Sequence, residues 1–393
     1  MAGLFLLNAA AFANVVPRLP AIKADLGLSN TSLGTAVAAM AVGALLSGPF
    51  AGRLVARHAS APVAVACAVG MGLTVPCFAL APSWGALAGT FLALGALDSL
   101  MDVSMNAHAL RVQRGYGRSI INAMHGLWSI GAVLGGGVGA VAAAAGVSLG
   151  AHLVAAGAGI VLSALAARRW LLAGPDEAPA RSDDRARTTD HPVRQARRRL
   201  ALLGLVVVMA AAIEDAPQSW GAVLLRDELG ASTAVAGLAY LAFQSAMTVG
   251  RLTGDRLVDR FGEVWVVRAG AALTGIAMAG GLGVDRSWAV VVGFGLAGLG
   301  AAPLFPLVFH AAGEVPGVST GHGVAAVAWT ARIGFLVAAP LVGALGDATS
   351  LRLALVTVPT AAAVVVLLAG GLAPQEAVGQ TRVTSRTGRV RSG

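Results

Sequence analysis

Long apolar runs alternate with short polar breaks along the whole chain. Twelve runs stand out, at approximately 2–20, 32–55, 61–80, 84–110, 119–144, 148–170, 200–224, 233–252, 264–284, 287–311, 320–344 and 351–371. Most are about 20 residues or longer, the length a helix needs to cross a bilayer core. The pattern predicts an all-α membrane protein with twelve transmembrane helices. Helix 1 lacks the basic leading region of a cleavable signal peptide. Met1 stands almost inside its apolar run, so we expect the true start upstream, or a first turn of helix that is missing.

Composition agrees: only 12% of residues are charged and the mean hydropathy is +0.76, against about 25% charged in soluble domains. Basic residues then set the orientation. With the N-terminus in the cytoplasm, cytoplasmic segments hold 22 of the 28 Lys and Arg, external loops hold five (Arg18, Lys23, Arg226, Arg286 and Arg352), and Arg332 lies within a helix. Both termini are therefore expected inside. The net charge of +9 reads as this positive-inside bias, which excludes a nucleic-acid footprint. Cys67 and Cys77 share one helix, ten residues apart, about 15 Å of rise and too far for a disulfide. The dominance of Arg over Lys and the abundance of Ala suggest a bacterial source, and so the cytoplasmic (inner) membrane.

Residues 174–199, "GPDEAPARSDDRARTTDHPVRQARRR", are polar and rich in Arg, Asp and Pro, the composition of a flexible linker. They divide the chain into an N-terminal six-helix bundle (1–170), a cytoplasmic linker (171–199), a C-terminal six-helix bundle (200–371) and a disordered cytoplasmic tail (372–393). The halves match at one offset of 203 residues. "DLGLSNTSLG" at 25–34 meets "ELGASTAVAG" at 228–237, "RLVAR" at 53–57 meets "RLVDR" at 256–260, and Ile130-Gly131 meets Ile333-Gly334. A duplicated unit of this kind places a binding site at the membrane midplane between its halves.

Over essentially its whole length the chain resembles the major facilitator superfamily. The motif that carries the likeness is "GDRLVDRFGE", from Gly254 to Glu263, close to G-x-L-x-D-R-x-G-R. Its N-terminal copy, "GRLVARHAS" from Gly52, is degenerate, with Ala56 in place of the acid and Ala59 in place of the glycine. The resemblance implies a charge latch on the cytoplasmic side formed by Asp255, Asp259 and Arg260, with Arg57 from the degenerate copy; a plain positive-inside turn is the alternative. "GAVLGGGVGA" from Gly131 is similar to the helix-5 motif of exporters, with Gly136 where proline would stand, and also suits close helix packing. The stretches 102–135 and 214–232 look like the fucose-permease neighbourhood, which implies a polar, sugar-like substrate moved with protons.

The costly intramembrane residues are not duplicated. By the same offset Asp98 and Asp102 map onto Ala301 and Phe305, Glu214 and Asp215 onto Ala11 and Phe12, and Arg332 onto Ser129. They were placed singly on a repeated frame, which points to the site rather than the scaffold. Asp98, Asp102 and Asn106 share one face of helix 4. Counting from the cytoplasmic turn sets Asn106 level with Asn122, Asp102 with His125, and Asp98 with Trp128 or Ser129. Burial and pairing shift carboxylate and imidazole in opposite senses, so a site holding both can titrate near physiological pH. Asp98 or Asp102, with His125, is the candidate proton-coupling group; an interhelical hydrogen-bond cluster and direct substrate binding stay open. In the C-terminal half, Arg332 needs an acidic partner, and Glu214 or Asp215 is expected to supply it, as a switchable pair or a permanent one. Asn14, Gln244, Trp220 and Trp329 are further cavity-lining candidates. Pro303 and Pro306 in helix 10 free backbone carbonyls and suggest a gate or a static kink.

Lys23 is the chain's one lysine, so there is no phosphate loop. No H-E-x-x-H and no Cys/His metal spacing occurs, and no metal or cofactor is expected. An intramembrane aspartyl enzyme built on Asp98 and Asp102, or a sensor that lost transport, fits the two-half rhythm less well than alternating access. The sequence thus predicts a monomeric secondary transporter, not an enzyme, whose partners are a small-molecule substrate, protons and the lipid bilayer. Uptake of a polar solute leads; proton-driven efflux of a drug or metabolite is the alternative.

Overall fold

In the computed structural model of the protein, residues 1–117, 120–174 and 193–373 are described. Among them twelve helices are long and apolar enough to cross a membrane. They are α1 (Ala2–Asp25), α2 (Asn30–His58), α3 (Ser60–Leu80), α4 (Trp84–Tyr116), α5 (Ala123–Ala144), α6 (Leu149–Trp170), α7 (Arg194–Gly221), α8 (Thr233–Phe261), α9 (Glu263–Gly283), α10 (Ser287–Gly313), α11 (His322–Ala348) and α12 (Leu351–Leu372). Several run further than their apolar stretch. Helix α4 continues from the expected 110 to Tyr116, α8 from 252 to Phe261, and α7 begins six residues early, at Arg194. Hydropathy marks the hydrocarbon slab, whereas backbone hydrogen bonding carries a helix on into the polar zone.

Helices α1 to α6 pack among themselves, as do α7 to α12; α2 meets α11 and α5 meets α8 across the seam. Lipid tails are as apolar as the helices, so contact here comes from close packing of small residues rather than from escape from water. The repeat is visible in that packing. Gly95 lies against the backbone of Met40, and Gly298, 203 positions later, against that of Phe243, also 203 later. Ser29 caps α2 by accepting from Ser32 N–H, and Ser232 caps α8 by accepting from Val235 N–H.

The turn after α2 shows what the degenerate motif kept. Gly262 has φ 80° and ψ 156°; its counterpart Ala59 has φ 65° and ψ 156°. That conformation belongs almost exclusively to glycine. The loop therefore lost its acid and its glycine but not its backbone path. Helix α10 breaks at Ala302 and Pro303, as the proline pair suggested. Helix α1 breaks into a 3-10 turn at Val16–Arg18. Beyond Asp215, α7 widens into a π-helical turn at Pro217–Gly221, and a second follows it at Leu224–Glu228, a geometry often found at functional sites.

The seam is closed at the face opposite the one where α1 begins and α12 ends (the termini face). Gly34 abuts the backbone of Ala339, Gly343 that of Asn30, and Gly237 the side chain of Ala140. Lys23 Nζ and Asp227 Oδ2 form an ion pair at 2.6 Å, and Asp347 reaches from α11 to the start of α2.

Candidate functional site

On the termini side of this closure a cavity of about 240 Å³ lies between the two helix groups, lined by Asn8, Asp98, Asp102, His125, Trp128 and Arg251. Helix α4 presents Asp98 and Asp102 one turn apart, Asp98 half-buried and Asp102 open to the cavity. A hydrogen-bond chain orients the deeper acid: Trp128 Nε1 donates to Asn8 Oδ1 at 2.7 Å, and Asn8 Nδ2 donates to Asp98 Oδ1 at 2.8 Å. Because the indole is a donor only, it fixes which end of the Asn8 amide faces the carboxylate. Asn106 Nδ2 donates to Asp102 Oδ1 at 3.0 Å and to its carbonyl oxygen at 2.9 Å. His125 stands edge-on to Phe5, with ring centroids 5.5 Å apart, near enough to Asp102 for the two to interact electrostatically.

The charges of the second group fall differently from the expected pairing. Glu214 Oε1 accepts from Arg251 Nη2 at 3.1 Å, and Asp215 Oδ1 accepts from Ser219 Oγ at 2.9 Å. Arg332 forms an ion pair with neither acid; its charge acts instead on Asp98 and Asp102 of the other six-helix group, attracting both. Neighbouring residues on a helix point about 100° apart, so Glu214 and Asp215 cannot serve one partner together. Arg251 was counted as a loop cation because hydropathy ended its helix one residue later, at 252; the extension of α8 carries it into the cavity wall.

Other expectations are corrected. Asn14 does not line the cavity: it is buried at the break in α1, where Nδ2 donates to Ala10 O at 2.7 Å and Oδ1 faces His152 Nε2 at 3.1 Å. Arg18, assigned to an external loop, is buried beside it, with Nε donating to His152 Nδ1 at 3.3 Å and Nη2 to Ser148 O at 3.2 Å. Trp220 is fully buried in the core, and Gln244 is buried away from the cavity walls. Trp329 is half open, one turn from Arg332 on the same face of α11. The side chain of Asn122 lies outside the described residues, as do Arg118 and most of the linker and tail.

The latch residues are not brought together. Arg57, Asp255, Asp259 and Arg260 are all exposed, and among the described residues none of the four forms an ion pair. Arg260 lies over the Phe261 ring at 5.4 Å, and Glu263 pairs with His310 at 2.9 Å. Asn8 was missed by the sequence reading, although "LFLLNAAAF" isolates one amide in an apolar run and so carried the signal.

A polar-lined cavity between two six-helix groups, within a bundle built to cross a bilayer, is the layout of a multi-pass membrane transporter. The family model of the Major Facilitator Superfamily matches residues 1–220 and, a second time, 203–392. The chain belongs to that superfamily, and its function is transport rather than enzymatic catalysis. An uncharacterized MFS-type transporter of Yersinia pestis is 29% identical over 339 residues, 86% of each chain. An uncharacterized transporter of Sinorhizobium fredii is 30% identical over 369 residues, 93% of this chain and 95% of its own. Among solved structures, a variant of the nucleoside transporter NupG shares the fold with a TM-score of 0.73 at 16% identity, covering 94% of this chain and 97% of that one.

Proposed function

We propose that the protein is a proton-coupled secondary transporter that takes up a small polar, sugar-like solute by alternating access between residues 1–170 and 200–371. In this reading its termini face the cytoplasm, which the 22-to-5 division of basic residues supports. The observation that carries the reading is the pair Asp98 and Asp102, held in the wall of a cavity that Arg251 of the other group also lines, with the charge of Arg332 near enough to attract both. Two acids one turn apart repel when both are charged. That repulsion is relieved by a proton or by the approach of Arg332. Proton and cation therefore compete for the same carboxylates, and the competition changes as the seam opens or closes. The hydroxyl-matching surface of Asn8, Asp98, Asp102 and Trp128 and the resemblance to the fucose-permease neighbourhood support a polar solute. Efflux is the second reading, supported by the glycine run of α5, in which Gly135 packs on Ala10 and Gly136 on Tyr240.

The test is thermal stability of the purified protein against sugars, polyols, amino acids and antibiotics at about pH 5.5 and 7.5, in wild type and Asp102→Asn. A ligand that binds the native state raises the melting point by mass action. The reading expects stabilisation by a polar ligand that depends on pH in wild type and loses that dependence in Asp102→Asn. Stabilisation that is equal at both pH values in both proteins refutes it.

A further inference from the structure

The 203-residue shift makes the α2/α11 and α5/α8 seams pseudo-equivalent, yet they close by different means at the face opposite the termini. The α5/α8 seam is closed by packing: a Cβ on Gly237 would stand 2.6 Å from that of Ala140, and one on Gly136 would stand 2.4 Å from the Tyr240 ring. The α2/α11 seam has such packing at Gly34 and Gly343, and it also has Asp347. The two carboxylate oxygens of Asp347, near the end of α11, accept the backbone N–H of Asn30 at 2.9 Å and of Thr31 at 2.8 Å. These N–H groups are among the four at a helix start that have no partner inside the helix, and a carboxylate there also meets the positive end of the helix dipole.

Helix α2 already carries its own cap, since Ser29 Oγ accepts from Ser32 N–H at 3.1 Å. The second cap comes from the other six-helix group. By the shift, Asp347 maps onto Ala144, which has no side-chain acceptor, so the equivalent seam lacks this contact. The ion pair of Lys23 with Asp227 crosses the same face.

We propose that Asp347 is the positioning residue that latches this face shut while the cavity is reachable from the termini side, and that it must release the start of α2 each time the face opens. The proposal needs only that the protein is a transporter; it is independent of proton coupling at Asp98 and Asp102.

The test uses the full-length protein with Cys77→Ser, spin-labelled through Ala24→Cys and Thr349→Cys, two exposed positions on opposite sides of the seam. In wild type the label distance is expected to show one dominant short population. Asp347→Ala should increase the long population about two- to fivefold, the worth of one exposed helix-terminus charge contact. Asp347→Asn, which keeps one acceptor oxygen, should do so less, and Asp347→Glu should restore most of the short population. If Asp347→Ala does not fold, the direction of the Asp347→Asn shift decides. Unchanged distance populations in the folded variants, with or without a lower melting point, overturn the proposal. Loss of proton coupling would leave these distances as they are, so the two readings fail separately.

Discussion

Replacing Ala59 by glycine should stabilise the protein, against the usual sign of an alanine-to-glycine change. Ala59 has φ 65° and ψ 156°, and holding a residue with a Cβ in that region costs about 1–3 kcal/mol. Two terms oppose the relief: greater freedom of glycine in the unfolded chain, about 0.4–1 kcal/mol, and loss of a half-buried methyl, about 0.4 kcal/mol from the transfer scale. At mid-range the terms leave Ala59→Gly a net gain of about 1 kcal/mol. Its counterpart supplies the control. Gly262 has φ 80° with nothing within 4 Å of where a Cβ would sit, so Gly262→Ala adds strain without a clash and should lose about 1–2 kcal/mol. Denaturant unfolding of both variants in one detergent measures the pair. Ala59→Gly at or below wild type, or Gly262→Ala without loss, would refute the claim that both turns share one glycine-type backbone.

Two further outcomes follow from contacts around the site. Arg251→Gln strips Glu214 of its cation, at a cost of about 2–3 kcal/mol for a pair only partly open to solvent; adding Glu214→Gln should recover most of it, and strictly additive losses in a double-mutant cycle would show the pair is not coupled. Gly34→Ala forces a Cβ to 2.4 Å from Ala339 O across the seam, whereas Gly131→Ala forces one to 2.2 Å from Leu6 O inside one six-helix group. The first should lengthen the Ala24–Thr349 label distance with little loss of stability, and the second should lower stability by about 1–3 kcal/mol with the distance unchanged; the reverse assignment would mean that the seam is not where the molecule opens.

The twelve spans were legible because hydrocarbon thickness imposes one length on every helix, and the repeat was legible because backbone turns such as Gly27 and Gly230 demand the same residue twice. The acid stripe was legible for the opposite reason: carboxylates are rare enough in an apolar run to be seen singly. Partners were harder. Helical pitch and depth counting brought Asp102 level with His125 and Asp98 level with Trp128, but they could not supply Asn8 as the bridge, because α1 was counted only to its end and not by face. Depth, with an expected adjacency of helices 7 and 11, matched Arg332 to Glu214 and Asp215. Depth is one coordinate, and the rotation of α7 and the extra length of α8 decided that Arg251 reached Glu214 first. Asp347 stood at the end of an apolar run, where an acid is ordinary, and nothing local marked it as the cap of a distant helix.

The distribution of these contacts has a physical logic. The buried and half-buried hydrogen bonds and ion pairs around the site stay within one six-helix group: Asn8 with Asp98 and Trp128, His152 with Arg18 and Asn14, and Glu214 with Arg251. Breaking one partner of such a pair costs about 2–3 kcal/mol where it is partly open to solvent and more where it is fully buried, which would slow a cycle that had to break it on every turnover. The polar contacts across the seam, Asp347 to α2 and Lys23 to Asp227, are exposed and worth about 1 kcal/mol or less apiece. Their sum biases one face closed without trapping it. The duplicated frame makes the two seams alike at each face but does not relate one face to the other, so it sets no preference between closures. Among the described residues Asp255 and Asp259 hold no ion pair at one face while Asp347 is engaged at the other, so single residues placed on that frame bias it toward one closure. The reverse closure should therefore require the latch acids to gain partners as Asp347 loses its own.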